Sequence, residues 1–195
     1  MRAKEQADTP AAEATQCGAA PVLLVHVTSS CIVPGVAVTF AVTSGVGSAT
    51  GTSVTTGSNG VATIGSWTLG TAAGANTLEA TAGPLAVTFT ATGVAGPAAE
   101  IVKVAGDGQS AEVDTDVAVP PSVRLIDEHG NDVEGVTVTF AATLGDGSVA
   151  EAVQVTRADG IATVGSWTLG PTPGDNELEA TAASLSAVFT ATGTP

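Results

Sequence analysis

Two stretches of this chain, NGVATIGSWTLG at residues 59–70 and DGIATVGSWTLG at residues 159–170, share the six letters GSWTLG and stand one hundred positions apart. They carry both tryptophans, Trp67 and Trp167. Sliding the sequence by one hundred extends the match without a gap, so that residues 35–93 align with 135–193 and 33 of the 59 pairs are identical. A chain of 195 residues built this way reads as two domains of about 100 residues rather than one large one.

Inside the repeat the pieces are strand-sized and separated by glycine-rich turns. Val136, Val138 and Phe140 alternate with threonines, Leu178, Ala180 and Ala182 alternate with Glu179 and Thr181, and Leu185, Ala187, Phe189 and Ala191 do the same. A period of two places one face on a core and the other in water, as antiparallel sheets require. Asn59-Gly60 and Asp159-Gly160 lie between apolar runs, where a tight hairpin needs residues that tolerate positive φ. The composition, with 24 Gly, 10 Pro, no Tyr and one Met, suits short strands and offers few helix windows. The expectation is an all-β protein of two tandem sandwiches, each of about seven strands.

The GSWTLG pieces carry a conflict of parity. Val164 and Trp167 both ask for burial yet fall on opposite parities of one strand, so Gly165-Ser166 is expected to mark a bulge or change of face. For Trp67 and Trp167 two readings compete: packing in a core or between domains, and a stacking platform for sugar rings. Packing is favoured, because all six aromatics (Phe40, Trp67, Phe89, Phe140, Trp167 and Phe189) fall in the duplicated frame. A small sandwich has few large side chains with which to fill its centre.

Domain boundaries follow from where the repeat starts and stops: an N-terminal tail at 1–20, a first domain at 21–95 and a second at 96–195. AAEIVKV at 98–104 reads as the opening strand of the second domain. Its equivalent one hundred residues earlier would begin before Met1, so the first domain lacks its opening strand as written. Residues 5–20 have no period of two and read as a poorly ordered tail.

The order GVTVTF, glycine-rich turn, DGIATVGSWTLG, PGDN turn, LEATA, FTATG resembles the bacterial immunoglobulin-like domains of the invasin and intimin type. LIDEHGNDVEGVTVTF at 125–140 is similar to the family's D-x-x-G-N-x-V-x-G-V-x-V-x-F segment. The second half matches from about residue 96 to the end; the first matches from about 33 to 95 and departs where TSSCIVPG at 28–35 replaces EHGNDVEG. The resemblance implies immunoglobulin-like sandwiches in a tandem array. It also implies a non-enzymatic spacer and adhesion role in a bacterial cell-surface or secreted protein, with neighbouring domains of the same parent chain, a surface protein or a glycan as partners.

Charge narrows the partners further. Five Lys plus Arg against 19 Asp plus Glu give −14, which repels a phosphate backbone and an anionic membrane alike. Residues 96–195 alone hold three basic and fifteen acidic groups, a sum of −12. No stretch approaches the roughly 20 apolar residues of a membrane span, so neither nucleic acid nor membrane insertion is expected. The opening MRAKEQADTPAAEATQC has no apolar run behind its basic residues. It is therefore not an intact secretory signal, which leaves a signal already removed or a chain that is a fragment.

No G-x-S-x-G, H-E-x-x-H or G-x-x-x-x-G-K pattern occurs, so no catalytic residue or cofactor is assigned. The alternative to a spacer is a ligand-binding module, for a carbohydrate or Ca²⁺, using the acidic turns of the second domain. DEHGNDVE at 127–134 gathers Asp127, Glu128, Asn131, Asp132 and Glu134, and oxygen ligands at that density could hold Ca²⁺. The spacing is not the twelve-residue helix–loop–helix pattern, and a turn rich in Asp, Asn and Gly is expected there anyway. Asp107, Asp114, Asp116 and Asp146 read as separate solvated turns. Cys17 and Cys31, the two cysteines, are a disulfide candidate suited to secretion. If 21–27 is a strand its flanks lie roughly 20 Å apart, and the cysteines meet only if the chain turns back beside it; two free or intermolecular thiols are the alternative.

Overall fold

The computed structural model describes residues 22–24, 26–27 and 31–195. The chain divides into two compact units between Val94 and Ala95. All regular structure among the described residues is strand. The first unit holds β1 (Val22–Leu24), β2 (His26–Val27), β3 (Cys31–Ile32), β4 (Ala37–Ser44), β5 (Ser48–Thr50), β6 (Ser53–Thr55), β7 (Val61–Thr63), β8 (Ser66–Thr68), β9 (Gly74–Ala82) and β10 (Leu85–Gly93). The second holds β11 (Glu100–Ala105), β12 (Gln109–Glu112), β13 (Ser122–Ile126), β14 (Thr137–Leu144), β15 (Ser148–Ala150), β16 (Val153–Val155), β17 (Ile161–Thr163), β18 (Ser166–Thr168), β19 (Gly174–Ala182) and β20 (Leu185–Thr194).

In the second unit the order β12-β20-β19-β14-β16 makes one sheet and β11-β13-β17 the other, with β15 paired to β18. The ten segments trace seven strands. β11 and β12 are the halves of one opening strand that changes sheets at Gly106–Gly108, β15 and β16 are one strand bent at Glu151, and β17 and β18 are one strand bent at Gly165. β12 runs parallel to β20, while the other ladders are antiparallel. The facing sides of the two sheets close over a single core that includes Leu125, Phe140, Trp167, Leu178 and Phe189, as two aligned sheets must to bury their apolar faces. This is the sandwich of about seven strands expected from the alternation, in the immunoglobulin-like form that the resemblance implies.

The first unit repeats the second down to the register. Thr39 faces Thr81 as Thr139 faces Thr181, and the irregularity between Val42 and Ser44 recurs between Ala142 and Leu144. Its sheets are β10-β9-β4-β6 and β1-β7, over a core of Val38, Phe40, Ala62, Ile64, Leu78 and Ala80. The positions one hundred residues before β11 and β12 lie outside the described residues. So does the tail at 1–20, and with it the expectation of a missing opening strand in the first domain.

The inward residues are those the period of two selects: Val138, Phe140, Leu178, Ala180, Phe189 and Ala191 are all buried. One expectation is corrected. Gly60 and Gly160 do take positive φ, 72° and 70°, and Asn59 and Asp159 accept the N–H groups of Val61 and Ile161. The flanking strands, however, do not form a hairpin: β16 pairs with β14 in one sheet and β17 with β13 in the other. The turn carries the chain across the sandwich, and local turn chemistry is the same whether the next strand pairs back or crosses over.

Candidate functional site

The duplicated GSWTLG sits where a strand bends from one neighbour to another. β17 pairs with β13, and three residues later β18 pairs with β15. Gly165 makes the bend: a Cβ there would stand 2.9 Å from the Cβ of Glu151 and 3.0 Å from the Ala150 carbonyl oxygen, and its N–H donates to that carbonyl at 3.2 Å. The change of face turns both Val164 and Trp167 inward, at 2% and 0% exposure, which resolves the conflict of parity. The segment before β13 then closes the far side. Val117 N–H donates to the Trp167 carbonyl and Leu169 N–H to Thr115, each at 2.9 Å, and Thr168 Oγ1 donates to Asp116 at 2.5 Å. Trp167 therefore has no face for a sugar ring. Buried among the core residues, the ring serves as apolar volume. Trp67 packs partly buried against the core of the first unit.

At the end of the motif Asn176, which sequence reading passed over, ties the strand down. Its Oδ1 accepts the buried N–H of Gly170 at 3.0 Å and its Nδ2 donates to the Gly174 carbonyl at 3.2 Å. The signal was present: Asn76 and Asn176 are identical positions of the repeat, and a retained Asn beside a Gly-rich turn is a candidate for satisfying backbone groups.

The acidic turn at 127–134 is organised around Asp127, which is 4% exposed. Its Oδ1 accepts the N–H groups of His129 and Asn131, and its Oδ2 accepts the Gly96 N–H and the Asn131 side-chain amide, each at 2.9 Å. Four donors around a carboxylate present the wrong polarity to a cation. Asp132 is instead ion-paired to Arg124, Glu128 lies 3.3 Å from the His129 imidazole, and Glu134 is exposed. Of the calcium candidates, Asp127 and Asn131 thus form a hydrogen-bonded turn, Asp132 is held by Arg124 and Glu134 points to solvent, and among the described residues no three His, Cys, Asp or Glu side chains converge as a metal site.

The Asn131 amide, with the N–H groups of Gly96, Asn131 and His129, holds the Asp127 carboxyl far below the usual carboxylate range against the opposing effect of burial. A group depressed in the folded state stabilises it above its unfolded pKa, about 3.9, and that stabilisation is lost as pH falls towards the folded value. Asp127→Asn is therefore expected to be less stable than the parent at neutral pH, with the difference closing below about pH 4. Urea unfolding of both chains across pH 2.5–7 checks this; a gap independent of pH would contradict the assignment.

Asp107 and Asp116 are exposed, as expected of solvated turns, and each also holds a specific partner. Asp107 sits at the sheet change of the opening strand, ion-paired to Lys103 and accepting the Thr190 N–H at 2.9 Å. The hydrogen bond from Lys103, followed by that from Thr190, lowers its pKa. It links β11 and β12 to β20, as Asp116 links the next segment to β18. Asp114 and Asp146 occupy turns at φ 57° and 58°. The Cys17–Cys31 pairing lies outside the described residues.

No helix among the described residues is long and apolar enough to cross a membrane. No protein-family model matches the chain, and no curated protein matches it. Solved structures do. InvD of Yersinia pseudotuberculosis aligns over 89% of this chain and 51% of its own length, at 21% identity and a TM-score of 0.60. The D0-D1 domain of intimin aligns over 89% and 88% at 20% identity and 0.39, and invasin, described as a bacterial integrin-binding protein, over 83% and 32% at 22% and 0.42. The likeness to InvD, of which this chain spans about half the length, shows a shared immunoglobulin-like fold in tandem.

Proposed function

We propose that the chain is a non-enzymatic, tension-resistant spacer and adhesion module of a bacterial cell-surface or secreted protein. The observation that carries this reading is the parallel pairing of β12 with β20, Gln109 opposite Ala191 through Glu112 opposite Thr194. These strands lie at the two ends of the second unit. Tension between the ends pulls them in opposite directions along their length, so the hydrogen bonds between them share the load and must break together. The bonds at the ends of the ladder, Gly108 N–H to Thr190 and Val113 N–H to Thr194 at 2.9 Å each, and the Asp107 link to Thr190 extend the clamp. Support also comes from the duplication itself: what the two copies share is the bend, the tryptophan and an asparagine whose amide donates to the carbonyl of Gly74 or Gly174, which are scaffold, and a sandwich repeated as scaffold is suited to spanning distance.

The test is mechanical. In a chain with Cys17 and Cys31 replaced by serine, handles at residues 97 and 195 load β12 against β20 in shear. Handles at residues 175 and 195 peel β20 from β19, whose antiparallel bonds then break one at a time. Shear is expected to need a several-fold higher unfolding force at equal loading rate. Equal forces in the two geometries would remove the clamp and with it the tension-resistant reading.

A further inference from the structure

The two repeats diverge most at one strand. In the first unit the edge segment reads GTSVTTG at 51–57; in the second it reads EAVQVTR at 151–157. β16 is the outer strand of the five-stranded sheet, bonded on one side to β14. Ala152 accepts from Phe140, and Thr156 donates to Val136, so the N–H and C=O groups of Ala152, Gln154 and Thr156 face β14. Those of Val153 and Val155 face outward. The side chains of Val153 and Val155 are 60% and 54% exposed, where the first unit has Ser53 and Thr55. Unpaired backbone groups flanked by exposed valines are a template for another strand, and native edges usually carry polar or charged residues against that outcome.

The segment is also self-complementary. If it pairs antiparallel with itself about Gln154, residue numbers across the pair sum to 308. Val153 then faces Val155 of the second copy, with both residues' outward N–H and C=O groups in position to bond, and Glu151 faces Arg157. This puts opposite charges at both ends of the ladder and two valine pairs between them. Glu151 and Arg157 are exposed and neither takes part in an ion pair among the described residues. Glu151 holds φ 51° where the first unit has Gly51 at 63°, so a charged residue occupies a bend that glycine fills without strain. The first unit's segment, without charge and with Val54 as its one valine, offers no such match.

We infer that β16 is a self-association edge, at which two copies of this chain join their five-stranded sheets through a two-fold antiparallel pairing of residues 151–157. A three-residue edge strand makes a small interface, below the standard size for stable complexes, so the dimer is weak and reversible.

Sedimentation of the full chain under reducing conditions, which removes any intermolecular disulfide, up to about 1 mM, is expected to show a concentration-dependent dimer. Glu151→Arg alone and Arg157→Glu alone each set like charges opposite one another and should weaken the dimer about tenfold or more. In a one-to-one mixture the Glu151→Arg chain is positive at both ends of its edge segment and the Arg157→Glu chain is negative at both. Every facing pair between the two chains is then opposite in sign, and dimerisation should return. That rescue also shows that both variants are folded. Val155→Pro, which removes an N–H facing outward and leaves the β14 ladder intact, should abolish association while the far-UV spectrum is unchanged. A monomer at every concentration, or a dimer indifferent to Val155→Pro and not rescued by mixing, would overturn the inference.

Discussion

Trp167→Ala is expected to lower the stability of the second unit by about 3–5 kcal/mol, the range for a large aromatic removed from a core. Trp167 is 0% exposed and lies among Val164, Leu169, Phe140 and Phe189, all at 2% or less. It is pinned by strands on both sides, to β15 through Val149 and to the 115–117 segment through its carbonyl. Walls held in this way cannot collapse into the space left behind, which puts the loss toward the upper end. Amide hydrogen exchange read separately over residues 35–94 and 95–195 measures it. Protection should fall across the second unit and hold in the first. Unchanged protection in the second unit would mean that the indole is not the centre of its core.

The second large effect comes from one methyl group. Gly170 is buried at the close of the motif, and a Cβ there would stand 1.5 Å from the carbonyl oxygen of Gly145. Neither partner is a flexible side-chain end that could move aside. Gly145 is itself held at φ 93°, and its own Cβ position lies 2.3 Å from Asn176 Oδ1, the atom that accepts the Gly170 N–H. Gly170→Ala is therefore expected to destabilise the second unit by about 3 kcal/mol, the upper part of the range for overpacking, by forcing apart β18 and the 145–147 turn. The matching change Gly70→Ala meets its nearest atoms, those of Val46, at 3.0 Å, and should cost less. Equal thermal shifts for the two variants would show that the close approach is not what the glycine serves.

Much of the sandwich was legible because alternation is a local property. Whether Val138 or Thr139 faces the core is decided by the pleat of its own strand, so the period of two identifies the inward residues without knowledge of any neighbour. The same reasoning located the bend at Gly165, since two apolar residues three apart cannot share a face of a regular strand. The candidate site was less legible. Asp127 reads as a potential cation ligand from its company of Glu128, Asp132 and Glu134, and the Gly96 N–H that helps settle its role comes from 31 residues away. Asp107 meets Thr190 across a separation of 83 residues, and Asp116 meets Thr168 across 52.

The amino-acid sequence by itself determined that this protein is all-β and duplicated in a frame that carries both tryptophans, because side-chain period, turn chemistry and repeat identity are written within a few residues of one another. The tertiary structure alone decided which strand neighbours which. It sends the chain across the sandwich at Asp159-Gly160, sets β12 parallel to β20, surrounds Asp127 with N–H donors and leaves β16 at an edge. A carboxylate or a backbone N–H takes its meaning from the group it faces, and in a sheet that group belongs to a strand distant in sequence, brought near by the burial of a shared core.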